Sequence, residues 1–589
     1  MDRPVYVLAV HDGHNASACL LADGRIAYAI QEERLTGEKN ANCFPALSIQ
    51  ACLDFAGLQP RDIAKLVFAS HRSTPAGLRS HDQMKASRRE ATLTGTLRRA
   101  LWYPYYQTRT HLGLPERMNN LERAGFGRNQ YSEYEHHLCH AASAYYGLRD
   151  DSQTSYVVLT VDGFGDLDCA TVWINRDGIL ERIARTPFTD SLGTIYGITT
   201  GMMGFRPLEH EYKLMGMAPY ASRKHAQRVA ESFHKLLAVD EDRMRFKRRT
   251  LEPSFLYTRR IRDMISGERF DLVCAGLQQF TEELLLKLAN STVRATGVGR
   301  LLCAGGVFMN VKANKRLMEQ PDIESIGVFP SCGDETLPMG AAYLAYIAEG
   351  GKEAAERIEP ITDFYLGGDV SDESCRQAAE SRGHDVRYHD DVEAEVARIL
   401  IAGKPLARCK GRMEFGARAL GNRSILADPS NQDVVRVINR MVKNRDFWMP
   451  FAPVVRRERM HDYFVNPKHL LSPYMMLTFD TRENFRELIA AVHNADLTAR
   501  PQVIEAHQNP DYYRLLQIFE QQTGRAVLLN TSFNLHGFPI VNTAQDAMNV
   551  FENSGLEYLN LGQLIVHKRE VVRVNTTSAF AEREVAHSH

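Results

Sequence analysis

The stretch VYVLAVHDGHNASACLL, residues 5–21, reads as a β-branched run, a polar turn at His11-Asp12-Gly13-His14-Asn15, and a second apolar run from Ala16 to Leu21. That is a β-hairpin with an acidic tip. The pattern returns in YVVLTVDGFGDLDCATVWI, residues 156–174, with Asp162-Gly163-Phe164-Gly165-Asp166 at the turn. A lone DG turn says little, because any β-turn can carry one. Two copies, each following a strand and opening into small residues, predict a duplicated α/β domain whose halves each present an acidic hairpin.

Outward from the hairpins, Phe270 to Thr296 has apolar residues at helical spacing and reads as a long core helix. Leu301 to Val307 is a strand running into a glycine turn, and Gly340 to Gly350 is an alanine-rich helix. Ser70 to Arg123 is polar and arginine-rich, with helical spacing over Met84 to Leu101, which reads as solvated helix faces. Lys352 to Asp363 is charged, contains Pro360 and reads as a linker. A fresh α/β pattern follows: helix Glu373 to Arg382, strand Val386 to Tyr388, helix Val392 to Ile401, strand Leu406 to Cys409. The expected domains are 1–358 and 359–574, with a flexible tail over 575–589.

A length of 589 residues exceeds what one hydrophobic core supports, in line with two domains. Lys+Arg 71 against Asp+Glu 72 argues against a nucleic-acid partner and a polybasic membrane anchor, while leaving room for a local basic cleft. No apolar run reaches the length of a bilayer span, and Ala526 to Leu529 reads as a strand. Met1 to Val10 lacks the parts of a signal peptide. Ten cysteines are scattered without a CxxC pair, and Cys139, Cys303 and Cys332 sit in apolar or glycine-rich segments. The expectation is a reduced, cytoplasmic protein.

Glu135-His136-His137-Leu138-Cys139-His140 opens an alanine-rich helical stretch. His136 and His140, four apart, stack on one helix face, the separation a single divalent metal needs from two helix-borne ligands. An HxxxH pair alone is more often two polar helix residues, and no Glu follows the first His as in a zincin metalloprotease. A third ligand is expected from the loop Ser331-Cys332-Gly333-Asp334-Glu335. Two imidazoles and a carboxylate with open positions suit Fe(II) ahead of Zn(II) or Mn(II).

Gly305 and Gly306, after a strand and ahead of a helix, would let backbone N–H groups approach phosphates. The loop is neither a Walker loop nor GxGxxG, and alone it would read as a tight strand–helix turn. Lys213, in Glu211 to Tyr220, either reaches a phosphate or is exposed; spacing does not decide. Residues 408–448 gather Arg408, Lys410, Arg412, Arg418, Arg423, Lys443 and Arg445 around Gly411, Gly416 and Gly421. That is no amphipathic helix. It reads as a folded loop turning its cations inward on a compact anion, since guanidiniums grip phosphate and carboxylate oxygens two at a time. Arg500 and Asn530-Thr531-Ser532 add polar groups at expected strand ends.

The motifs HDGHNASA (11–18), HHLCHAASA (136–144), EYKLMGMAPY (211–220), AGGVFMN (304–310), CGDETLPMGAA (332–342), GRMEFGARALGNRS (411–424), KNRDFWMPFAPV (443–454) and NTSFN (530–534) span nearly the whole chain. Together they resemble the carbamoyltransferase family of nodulation protein U and the cephalosporin and nebramycin carbamoyltransferases. The resemblance implies an N-terminal duplicated ASKHA-type domain, akin to actin and the sugar kinases, and a C-terminal YrdC-like α/β domain. It implies an enzyme of natural-product or sugar metabolism that makes carbamoyl adenylate from carbamoyl phosphate and ATP with Mg(2+). An iron-bearing N-terminal domain would pass the carbamoyl group to the hydroxyl of a small-molecule acceptor, in a monomer or homodimer. By position, His136, His140, Asp334 and Asp162 would bind the metal, and Asp12 and His14 would hold or deprotonate the acceptor hydroxyl. Arg418, Arg423, Lys443, Arg445, Arg500, Asn530 and Ser532 would line the donor site, with Lys213, Gly305, Gly306 and Asn310 on the nucleotide. Ala417 replaces a usual proline, Leu497 a usual glycine, and Phe538 a frequent acidic residue. The competing readings are a threonylcarbamoyl-type tRNA-modifying enzyme, against which the neutral charge and single chain weigh, and a non-catalytic ATP-binding module, which has no use for the arginine-rich segment.

Overall fold

The computed structural model describes residues 4–72, 113–380, 382–443 and 446–569. The expected helical stretch Met84–Leu101, the tail 575–589, the side chain of Lys443, and Arg445 lie outside the described residues.

The first hairpin forms as its pattern predicts. Strands β1 (Tyr6–His11), β2 (Ser17–Ala22) and β3 (Arg25–Gln31) run antiparallel, and β4 (Leu66–Phe68) and β5 (Tyr131–Glu133) extend the sheet in parallel, in the order β3-β2-β1-β4-β5. Alternation along β1 and β2 sends Leu8, Val10, Ala18 and Leu20 into one apolar cluster and Val7, Ala9, Cys19 and Leu21 into another. Both faces are covered, which is why β1 is apolar throughout.

The second hairpin repeats this arrangement. Strands β6 (Val157–Gly165), β7 (Asp168–Arg176) and β8 (Ile179–Pro187) are antiparallel, and strands Arg300–Ala304 and Ser325–Val328 follow β6 in parallel. The two five-stranded sheets have the same order and the same strand directions. The duplication expected from the two hairpins is therefore present in the topology.

Helices His136–Leu148 and Leu337–Arg357 pack against each other, and Ser143 Oγ donates to Thr336 O at 3.0 Å. A Cβ at Gly340 would collide with Cys139 O, so only glycine allows this approach.

The Leu337–Arg357 helix departs from the expected linker. It continues past Lys352 with a break at Gly351 (φ 61°), and Ala354, Ala355 and Ile358 are buried. Phe364 is buried between Phe329 and Tyr474, with ring centroids 5.6 and 4.9 Å away. The charged residues that mark the segment as a linker point outward, while its apolar ones join a cluster that also holds Tyr343, Phe415, Val455 and Phe479.

Beyond this crossing lies an eight-stranded mixed sheet. Its central strands are Leu406–Cys409, Arg423–Ala427, Val527–Ser532 and Ala452–Arg456. Helix Val392–Ile401 starts where Asp391 caps Ala394 N, and helix Pro510–Thr523 starts at Asn509, which caps Tyr512 N ahead of a first-turn proline. Leu497, where glycine is usual in the resembled family, has φ 52°, a conformation glycine takes without strain. All ten cysteines are free, and among the described residues no helix is long and apolar enough to cross a membrane.

Candidate functional site

The helix His136–Leu148 begins where it does because Glu135 accepts from His137 N (3.1 Å) and Leu138 N (2.7 Å), while Asp166 Oδ2 takes the His136 amide at 2.9 Å. Asp166 is the second acid of the DGFGD tip, so the hairpin itself aims the helix. His136 and His140 then stand one turn apart, ring centroids 4.8 Å from each other. Asp162, at the hairpin tip, and Asp334, after Gly333, close on them from two sides. His140 Nε2 lies 3.2 Å from Asp162 Oδ2 and 3.6 Å from Asp334 Oδ1; for His136 Nε2 the separations are 3.8 and 3.5 Å. One ligand atom from each of the four falls within 4.8 Å of all the others.

These residues fit a metal ion. Two half-buried carboxylates side by side repel each other unless a cation lies between them, and His136 Nε2 is buried without a hydrogen-bond partner among the described residues. Burial would lower the His136 pKa, but Asp334 and Asp162 outweigh it and raise it to about 9. Burial likewise opposes ionisation of Asp162, and the two imidazoles outweigh it, holding that carboxyl well below its usual range. Without a metal His136 therefore carries a proton at neutral pH, and a metal must displace it. Metal affinity should accordingly rise with pH up to about 9, by about tenfold per unit for each proton displaced. A chelator-competition titration of Co(II) from pH 6 to 9 checks this.

The glycines around the cluster are there for space. A Cβ at Gly165 would lie 2.5 Å from His136 Nε2 and nearer still to other ring atoms. Gly305 (φ 95°) passes so close to Val161 O that no side chain fits, and a Cβ on Gly306 would sit 3.2 Å from Asp162 Oδ1. The Gly305-Gly306 loop is thus pressed onto the acidic hairpin.

His11, which the sequence reading leaves without a role, ends β1 beside the cluster. Its Nε2 is 3.8 Å from Asp334 Oδ2, neither ring nitrogen has a hydrogen-bond partner among the described residues, and burial lowers its pKa to about 4. His14 is half-buried at the hairpin tip, bridged to Asn42. Asp12 is gripped by the buried Arg117, whose Nε and Nη2 donate to its two oxygens at 3.0 and 2.8 Å. The residue expected to hold or deprotonate the acceptor hydroxyl thus has both carboxylate oxygens bonded to Arg117. Arg117 carries no motif and is invisible in sequence.

Two cavities are lined by residues near the cluster in sequence, Glu135 and Asp166 on one and Glu335 on the other. One, of about 420 Å³, is walled by residues including His71, Arg72, Arg117, Glu133, Asp166 and Arg185. The other, of about 320 Å³, lies between the two halves of the chain, with Asn15, Lys213 and Glu335 on one wall and Arg418, Arg500, Asn530 and Ser532 on the other. Lys213 Nζ pairs with Asp446 at 3.0 Å, joining the walls.

The arginine-rich loop separates into two groups. Arg418 reaches the second cavity, with its Nε buried and without a hydrogen-bond partner among the described residues. Arg423 does not reach it. It is fully buried and donates to the carbonyls of Asn542, Lys410, Gly411, Asn422 and Gly368, so the expected anion contact is replaced by a structural one. Arg408 and Lys410 pair with Glu393, and Arg412 donates to Gly367 O, Ala27 O and Leu366 O. Asn310 is also committed: it caps Ala313 N and exchanges amide hydrogen bonds with Gln278, which corrects its expected place on the nucleotide.

The family profile described as the carbamoyltransferase N-terminus matches residues 7–343, and that of the carbamoyltransferase C-terminus matches residues 397–568. An uncharacterized protein of Synechocystis sp. is 30% identical over 94% of this chain and 95% of its own length. Nodulation protein NolNO of Sinorhizobium fredii is 31% identical over 94% of this chain and 79% of its own. Among solved structures, (R)-2-hydroxyglutaryl-CoA dehydratase component A of Acidaminococcus fermentans is 16% identical, with a TM-score of 0.32 over 57% of this chain and 96% of that one, a likeness too slight to build on.

Proposed function

This chain belongs to the carbamoyltransferase family, and we propose that it is an ATP-dependent O-carbamoyltransferase that activates carbamoyl phosphate as carbamoyl adenylate and passes the carbamoyl group to a hydroxylated small molecule. The observation that supports this most is the cavity between the halves. Its walls offer cations for a phosphorylated donor on one side and, on the other, Glu335, the chain neighbour of Asp334. We assign donor activation to residues 359–574 and transfer to 1–358.

In this reading a water attacks carbamoyl phosphate and phosphate leaves, giving carbamate; a carbamate oxygen then attacks the α-phosphorus of ATP and expels pyrophosphate. Arg418 and Arg500 hold the phosphoryl oxygens, Asn530 and Ser532 orient the donor, and the resemblance adds Lys443 and Arg445. Enclosure between the halves keeps water from the mixed anhydride, which would otherwise hydrolyse. The acceptor sits in the 420 Å³ cavity, whose charged and polar walls suit a polyhydroxylated molecule. His71, Arg72, Leu114 and Arg117 line this cavity from a region that carries none of the family motifs. A ring nitrogen of His14 takes the acceptor hydroxyl proton as its oxygen attacks the carbamoyl carbon, and AMP leaves. His136, His140, Asp162 and Asp334 would hold a metal, with Fe(2+) the closest chemical match, which when bound would supply Lewis acidity there.

The test is pyrophosphate release from ATP, carbamoyl phosphate and Mg(2+), with a screen of hydroxylated metabolites for the carbamoyl mass gain. His14→Ala should leave pyrophosphate release at the wild-type rate and lose transfer by about a hundredfold or more. If the metal-loaded wild type releases no pyrophosphate, or the variant transfers normally, the assignment fails.

A further inference from the structure

Three segments that carry the proposed chemistry meet at one buried carboxylate. Glu335, 3% exposed, accepts from Asn15 Nδ2 at 3.4 Å, and its backbone carbonyl accepts from Ser17 Oγ at 2.9 Å. Its other oxygen accepts from Ser331 Oγ. Ser331 Oγ in turn accepts from Ala417 N at 2.8 Å, across from the second half of the chain. The arrivals on the far side are also held: Gly416 O accepts from Arg34 Nη2 at 2.7 Å, and Gly416 N donates to Gln31 Oε1 at 3.2 Å. Each segment has a working residue beside the junction: His14 next to Asn15, Asp334 next to Glu335, Arg418 next to Ala417.

The approach is too close to be incidental surface contact. Gly416 has φ 95°, and a Cβ there would fall 2.5 Å from Ser331 Cβ. Ser331 itself holds φ 53°, a strained conformation for a residue with a side chain, and it is held there with its hydroxyl bonded to both neighbours. Ala417 is the residue that stands where the resembled family has proline; proline has no N–H to donate, so the bond to Ser331 is a feature of this chain.

We propose that Ser331 and Glu335 form a positioning link through which the donor cavity and the metal cluster sense each other's occupancy: a nucleotide gripped by Arg418 sets the 416–418 loop, the loop sets Ser331, and Ser331 sets the segment bearing Asp334. The link rests on the reading that the nucleotide binds at Arg418. Thermodynamic linkage makes the effect reciprocal and measurable without knowing the acceptor.

The experiment uses the full chain, with Co(II) as the metal probe and α,β-methylene-ATP with Mg(2+) as the nucleotide probe. In the wild type the nucleotide analogue should change the Co(II) dissociation constant by about fivefold or more, and Co(II) should change that of the analogue by the same factor. Ser331→Gly removes the hydroxyl at a backbone position glycine prefers, so folding is not at risk. It should keep each separate affinity within about twofold and reduce the mutual shift to under about twofold. Ala417→Pro, which removes the donor N–H and installs the residue usual in the resembled family, should do the same. A mutual shift of wild-type size in both variants, or no shift in the wild type, overturns the link. A wild type that fails to bind one of the probes at all overturns the underlying site reading and the link with it.

Discussion

Gly165→Ala should empty the metal centre while leaving the fold in place. The new methyl would occupy the space of the His136 ring, within 2.5 Å of Nε2 and nearer other ring atoms. The ring cannot yield and still ligate, because the His136 amide is bound to Asp166 and the residue begins a helix whose other face is packed. Nothing in the backbone opposes alanine: Gly165 is not in the left-handed region. The cost should therefore fall on metal affinity, by about a hundredfold or more, beyond what losing an outer partner of a ligand costs. Transfer should fall with it, and pyrophosphate release should not. Gly163→Ala is the matched control, since its Cβ meets nothing within 4 Å on the same hairpin tip, and it should behave as wild type. Metal content after dialysis, together with the thermal midpoint, separates the two variants; equal metal retention would show that His136 is not a ligand.

Arg418→Ala and Arg423→Met should fail in opposite ways. Arg418 faces the cavity between the halves, and among the described residues its Nε has no partner and no carboxylate is bonded to it; burial outweighs the pull of Tyr212, Cys332 and Glu335 and lowers its pKa. Its loss should reduce pyrophosphate release by about 10²–10³-fold, the usual effect of removing one preorganised charge from a developing anion, with Co(II) affinity unchanged. Arg423 holds five backbone carbonyls together in a fully buried position. Removing its guanidinium leaves several of them unsatisfied, at a cost of about 3 kcal/mol or more in stability. The thermal midpoint should drop, and pyrophosphate release by whatever protein remains folded should be near normal. Steady-state rates normalised to folded fraction decide the matter. A selective loss of pyrophosphate release in Arg423→Met, with an unchanged midpoint, would restore it to the donor site.

Much of the site is legible in local pattern. The HxxxH spacing finds the two imidazoles because a helix turn places them together whatever surrounds it, and the DGFGD tip finds Asp162. Helix Phe270–Thr296, helix Val392–Ile401 and strand Leu406–Cys409 fall where their periodicity puts them. His11 escapes because a histidine at a strand end has no signature of its own. Arg117 escapes because its partner Asp12 lies far away in sequence.

By itself, the sequence of this protein determines the two acidic hairpins and the helix that carries His136 and His140, since each depends on residues that meet their own neighbours at a spacing of two or four. Only the tertiary structure decides which of the clustered cations are free for chemistry. A guanidinium is the same in sequence whether it faces a cavity or not. Arg418 and Arg423 differ because distant segments bring carbonyls to one and leave an open wall before the other. The same holds for the stretch near residue 360, whose charges mark a linker while its apolar residues, meeting Phe329 and Tyr474, bind the two halves into one core.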